Sequence, residues 1–232
     1  MPPPPPARAA PNTEAEVRAL LDALPAHVKP ALAALCATAG MDILNLVEIN
    51  VQIGRRPEAI FALPQGGKRR ELIVDAPCTA DDVNLFAPFF TPDNGEPLPS
   101  HKRAGMDGTL HRLSFTTHPA KRDAVIAVTA RVGRAMEGVI DRMAPFLLSP
   151  DAPSLLLIGV PGVGKTTLLR ELARRLSDDR SLTVVIVDKT NELGGDASAP
   201  HPSIGSARWM PVGRAGLQAT ILREAVRSDF AT

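Results

Sequence analysis

The sequence has no tyrosine, one tryptophan and only 3% aromatic residues, so a stacking platform for single-stranded nucleic acid has almost nothing to be built from. Charge of one sign is also missing. Lys and Arg number 26 against 25 Asp and Glu, a formal balance of +1, which argues against a protein that coats nucleic acid through its global field. No apolar run approaches the ~18 residues of a membrane-spanning helix, and the opening MPPPPPARAAPNT lacks the apolar stretch of a secretory signal. The two cysteines, Cys36 and Cys78, form neither a paired metal-ligand spacing nor a disulfide framework, the usage of a reducing, intracellular compartment. What is present is ordinary for a soluble chain: 44% hydrophobic and 22% charged residues over 232 positions, enough for one large or two small domains.

Residues 1–12 are rich in Pro and Ala and read as a disordered tail, because Pro fixes φ and removes a backbone donor. A plastid transit sequence is the alternative, weakened by a single Arg and no Ser. Thr13 and Glu16 have capping-box spacing, and Val17, Leu20, Leu21 and Leu24 fall on one helical face that ends at Pro25. Val47, Ile49, Val51 and Ile53 alternate with polar residues, the period of a half-buried strand. Gly66-Gly67 separates Ile60–Leu63 from Glu71–Val74 as in a hairpin, and Thr79 opens a short helix whose Phe86 and Phe90 face a core. Residues 13–100 thus read as a small α+β domain, closed by a Pro-rich loop at 91–101 that contains Asn94-Gly95. Residues 101–150 read as a basic connecting region. Lys102–Arg134 carries seven Lys or Arg against two Asp, either a solvated face or a surface for phosphate, with a strand over Ala124–Thr129 and a helix over Arg134–Leu148.

The most specific signal is Ser154-Leu-Leu-Leu-Ile158, then Gly159, Val160, Pro161, Gly162, Val163, Gly164, Lys165, Thr166, then Thr167 to Leu176. The order is strand, loop, helix, and the loop satisfies G-x-x-x-x-G-K-[ST]. Its glycines let backbone N–H groups close around a β-phosphate, Lys165 neutralises the β- and γ-phosphates, and the Thr166 hydroxyl is placed to ligate Mg2+. The helix that follows aims the positive end of its dipole at the same anion. A buried apolar strand before the loop and a Leu168, Leu169, Leu172, Leu176 face after it are the expected context. No Asn-Lys-x-Asp base-reading motif appears, so ATP is preferred to GTP.

Thr183 to Val187 then leads to Asp188, a buried parallel strand whose carboxyl end would face the ligand crevice. Glu192 is expected near the γ-phosphate, where a carboxylate can orient or deprotonate water; Asp188 is its rival. The plainer alternative is that both acids cap the next turn with Asn191 and Gly194. His201 either touches phosphate or faces solvent.

These residues resemble the AAA-type P-loop ATPases of cyanobacteria and plastids, which are similar to bacterial stage III sporulation protein AA. The likeness rests on Gly159–Leu169, Val184–Asp188, Asn191-Glu192, and His201-Pro-x-x-Gly205 with Ala207-Arg208. Upstream it includes Gly54–Ala59, Arg103–Gly105, Thr109–Arg112 and Arg131–Ala135. The resemblance implies ATP hydrolysis to ADP and phosphate with Mg2+, a homo-oligomeric ring, a plastid setting with the cytoplasm as alternative, and weight for Glu192. It also implies that Arg131 and Arg134 contact phosphate, in cis or as arginine fingers toward a neighbour, where the alternative is surface salt bridges.

In the relatives a segment like Leu217–Asp229 leads into an apolar strand ending Asp-Glu, whereas here Phe230-Ala-Thr232 follows. The expected fold class is therefore α/β, a truncated P-loop NTPase-type parallel sheet at 151–232 preceded by the small α+β domain. The family's nucleic-acid role is not carried over, and apolar surface should be left open beside Leu217, Ile221, Leu222 and Val226. A nucleotide-binding switch that does not hydrolyse ATP stays open as the alternative to an ATPase, and a purely partner-binding protein is a third class.

Overall fold

The computed structural model of the chain describes residues 8–9, 13–90, 102–121, 124–180, 182–197, 199–212 and 216–229. They fall into two units, Asn12–Gly133, and Met1–Pro11 together with Arg134–Thr232. In chain order the strands are β1 (Arg8–Ala9), β2 (Leu46–Gln52), β3 (Glu58–Ala62), β4 (Lys68–Leu72), β5 (Arg103–Gly105), β6 (Arg112–Thr117), β7 (Val125–Arg131), β8 (Met136–Glu137), β9 (Val185–Asp188) and β10 (Arg208–Pro211). The helices are α1 (Thr13–Asp22), α2 (Val28–Ala39), α3 (Ala80–Asn84), α4 (Ala144–Leu147), α5 (Lys165–Asp178) and α6 (Gln218–Asp229).

The first unit is an antiparallel sheet in the order β4-β3-β2-β7-β6-β5, packed with α1, α2 and α3 around one core. Alternation along β2 buries Ile49 and Val51, while Asn50 between them accepts from the Thr129 hydroxyl at 2.8 Å. Thr79 and Asp82 form a reciprocal capping box at the start of α3. The capping box expected at Thr13 does not form, and the Thr13 hydroxyl has no hydrogen-bond partner among the described residues. Phe86 and Phe90 are core residues as expected, with the Phe90 ring centroid 4.3 Å from that of Phe115. The loop expected at 91–101 lies outside the described residues, as do residues 1–7 and 10–12 of the expected tail.

The expected connecting region is divided differently. Its first part supplies β5, β6 and β7 to this same sheet, because Leu113 and Phe115 on β6 and Val128 and Ala130 on β7 alternate into the core. The helix expected over Arg134–Leu148 does not form. Met136–Glu137 pairs antiparallel with Arg8–Ala9, the Gly138 N–H donates to Glu171 Oε1 at 3.1 Å, and only the single turn of α4 is helical. An amide engaged outside the ladder cannot continue an i to i−4 series.

The second unit is the α/β part. β9 and β10 run parallel with Ile186 opposite Trp209 and Asp188 opposite Pro211, and α5 packs on them. Its core is small: Ala173, Ile186, Ile204 and Ala207, lined by Val184, Leu193 and Trp209. This unit is α/β, with a parallel sheet of two strands among the described residues. Two expectations are corrected here. Residues 154–158 form no strand, and Leu156 and Ile158 are 80% and 86% exposed, because no described strand lies beside them to pair with. The leucine face expected on α5 is not its buried face, since Arg170, Glu171, Ala173 and Ser177 are buried and Leu169 is exposed. The open apolar surface on α6 is present, with Leu222 and Val226 exposed and Ala225 buried.

Candidate functional site

The loop from Gly159 to Gly164 turns into α5 directly at Lys165. Gly162 and Gly164 take φ of 81° and 98°, left-handed values that a side chain would strain, so the loop can close only with glycine at both. A Cβ at Gly159 would stand 3.0 Å from Val163 Cγ1, a tight contact with an exposed side chain. The Lys165 ammonium folds back over the loop and donates to the carbonyls of Gly159 at 2.8 Å and Val160 at 3.0 Å. Val160, Pro161 and Val163 are exposed and offer apolar surface. Thr167 follows Thr166 within the first turn of α5.

One turn supplies the acids. The chain leaves β9 at Asp188 and reverses at Asn191, whose φ of 53° is a left-handed conformation that asparagine tolerates. The Asp188 carboxylate, 4% exposed, accepts from the N–H groups of Glu192 (3.1 Å), Leu193 (2.8 Å) and Gly194 (3.0 Å) and from Trp209 Nε1 (3.3 Å). Asp188 therefore organises the turn. Glu192 instead carries an exposed side chain, and the Thr166 hydroxyl donates to its Oε2 at 3.3 Å. The geometry brings Thr166 and Glu192 together at the start of α5 and engages Asp188 in bonds to three main-chain amides and the Trp209 indole.

Arg131 projects from the end of β7 in the other unit, 65% exposed and 3.6 Å from Glu48, a solvated pair of small energetic weight. Arg134 opens the second unit, partly buried. His201 is neither solvent-facing nor free. It is 2% exposed, its Nδ1 meets Ser203 Oγ at 2.7 Å, and its N–H donates to Gly194 O at 2.8 Å, which fixes the far end of the acid-bearing turn.

Arg170 was not singled out by the sequence. It lies one turn after Thr166 on α5, 7% exposed, and donates from Nε to Leu193 O at 3.0 Å and from Nη2 to Glu192 O at 2.5 Å. No local pattern in the sequence sets Arg170 apart from the other basic residues of α5, because its partners are carbonyls on a turn more than twenty positions away. At Gly194, beyond the capping role its sequence position suggests, a Cβ would stand within 2.7 Å of the Trp209 ring.

Residues 154–193 match the AAA domain (dynein-related subfamily). The Uncharacterized protein ycf45 of Porphyra purpurea is 39% identical over 186 residues, 80% of this chain and 30% of that protein. Protein SEEDLING PLASTID DEVELOPMENT 1 of Arabidopsis thaliana is 39% identical over 191 residues, 81% of this chain and 25% of that protein. Stage III sporulation protein AA of Bacillus subtilis (strain 168) is 33% identical over 75 residues, 31% of this chain and 24% of that protein. The chain thus spans between 24% and 30% of the length of these three relatives. No described helix is long and apolar enough to cross a membrane.

Proposed function

We propose that this chain is an ATP-binding member of the AAA-type P-loop ATPases and that it hydrolyses ATP to ADP and phosphate. The observation that carries this is the Thr166 hydroxyl donating to the Glu192 carboxylate at 3.3 Å, at the start of a helix whose preceding glycine loop holds the Lys165 ammonium on its own carbonyls. Main-chain amides from Gly159 to Thr167 take the β-phosphate, with the α5 dipole and Lys165 adding positive charge. Glu192 accepts the proton of a water that attacks the γ-phosphorus, and the bond to the β-phosphate oxygen breaks with ADP as leaving group.

Mg2+ fits the donors present, because Thr166 Oγ1 and Glu192 Oε2 are adjacent hard oxygens and Mg2+ needs few protein ligands when phosphates supply the rest. Thr166 would hold the ion, which when bound neutralises charge on the β- and γ-oxygens. Among the described residues no group of three or more His, Cys, Asp or Glu could hold a metal without such phosphates. Arg131 and Arg134 are assigned to phosphate contact in cis or across a ring of copies. A plastid is the compartment assigned, supported by a relative whose name refers to seedling plastid development.

A nucleotide-binding switch is the second reading. The deciding experiment is calorimetric titration with ATP and Mg2+, followed by single-turnover phosphate release. Saturable binding that Lys165→Ala weakens about tenfold or more supports the site. Equal affinity in wild type and Lys165→Ala overturns it, and bound ATP that persists for hours leaves the switch.

A further inference from the structure

The buried face of α5 is polar where an amphipathic helix should be apolar, and each polar residue meets main chain. Arg170 donates to the carbonyls of Leu193 and Glu192, Glu171 accepts from the Gly138 N–H at 3.1 Å, and at the exposed end of the helix Asp178 accepts from the Ser206 N–H at 2.8 Å. Buried polar groups persist where their partners are made in full, because a lost partner costs about 1–3 kcal/mol. The helix is thus fastened along its length to loops far away in sequence.

Arg170 differs from the other two in what it fastens. Residues 192 and 193 are held twice: Asp188 takes their N–H groups from one side, and Arg170 takes their C=O groups from the other. The guanidinium sits one turn from Thr166 on the same rigid helix, so the distance between Thr166 Oγ1 and Glu192 is set through Arg170 as well as through β9. The Glu192 side chain itself stays exposed.

We propose that Arg170 is the positioning residue that holds the Glu192 turn against the phosphate loop, and that it couples anion binding at the start of α5 to the placement of the Glu192 carboxylate. This rests on the reading of the loop as an ATP site. Arg170 touches neither phosphate nor water in this scheme; it acts through the main chain of residues 192 and 193. Its planar fork suits two carbonyls at once, whereas lysine offers a point charge and Gln one amide.

The test compares wild type, Arg170→Gln, Arg170→Lys and Asp178→Asn as the full chain. Amide hydrogen exchange is read at residues 192–194, alongside ATP affinity and single-turnover hydrolysis. Arg170→Gln is expected to speed exchange at these amides about tenfold or more. Hydrolysis should fall about ten- to a hundredfold while ATP affinity changes less than about threefold, as for a group that orients another. Arg170→Lys should fall between the two, and Asp178→Asn should leave both exchange at 192–194 and hydrolysis as in wild type. Unchanged exchange in a folded Arg170→Gln overturns the proposal, as does a loss of ATP affinity as large as that of Lys165→Ala. If the Gln variant unfolds, Arg170→Lys decides: faster exchange confined to 192–194 supports the proposal, and wild-type exchange overturns it. Should wild type bind no ATP, the functional reading fails by itself, while exchange in the nucleotide-free protein still reports whether Arg170 holds the turn.

Discussion

Trp209 Nε1 donates to Asp188 Oδ2 at 3.3 Å across the parallel pair, so the carboxylate that gathers the amides of residues 192–194 also fixes the indole. The chain has one tryptophan, which makes this ring a built-in reporter on the acid-bearing turn.

Replacing Asp188 by Asn leaves the shape but removes an acceptor that serves four donors. At least one buried N–H then lacks a partner, at a cost of about 1–3 kcal/mol. Urea unfolding followed by Trp209 emission should show a lower midpoint with an altered native spectrum. A midpoint and spectrum equal to wild type would mean that the Asp188 bonds contribute nothing.

Glu192→Gln keeps the size and the acceptor for Thr166 but cannot take a proton. ATP affinity should stay within about threefold of wild type, and single-turnover phosphate release should fall about a hundredfold or more, the scale of a lost general base. A variant that hydrolyses at the wild-type rate would assign the proton to another group.

Asp178 carries a predictable pH signature. The Ser206 N–H bond holds its carboxyl below the ordinary range, outweighing burial, which pushes the other way. A depressed pKa means that the folded form binds the proton less readily than the unfolded form. The resulting stability is present above the unfolded value and is lost as the pH falls through the folded one. Asp178→Asn should therefore flatten the acid limb of the stability profile below about pH 4 and leave its shape near neutrality unchanged. Thermal melting from pH 2 to pH 7 reads this directly; parallel profiles for the two proteins would disprove it.

Leu156 and Ile158 expose nearly their whole side chains. Apolar area of this kind drives dye binding and association. Leu156→Ser with Ile158→Ser should lower the fluorescence of a hydrophobic dye and reduce the light scattering of concentrated samples. Unchanged dye binding would place the dye's site elsewhere.

The sequence made legible what depends on local period and on special backbone. Alternation at Val47–Ile53 gave β2, and the spacing of Gly159, Gly164 and Lys165 gave the loop and the start of α5. Glu192 was picked out by its distance along the chain from β9, and it does meet Thr166. What stayed hidden depends on partners distant in sequence. Ser154–Ile158 has the composition of a buried strand, but a strand exists only beside another strand. The buried face of α5 could not be found by counting leucines, because Arg170 and Glu171 are stabilised there by carbonyls and an amide some twenty to thirty positions away. Basic residues drew attention to 102–134, while the alternating Leu113, Phe115, Val128 and Ala130 decided its place in the sheet.

The two bonds from Lys165 to Gly159 O and Val160 O set a threshold for entry. An incoming anion must win the ammonium from its own chain before gaining anything from it. Under the proposed ATP reading, a polyphosphate that reaches several loop amides and the lysine together recovers what displacing those two carbonyls costs, whereas a small monovalent anion has fewer contacts to offer.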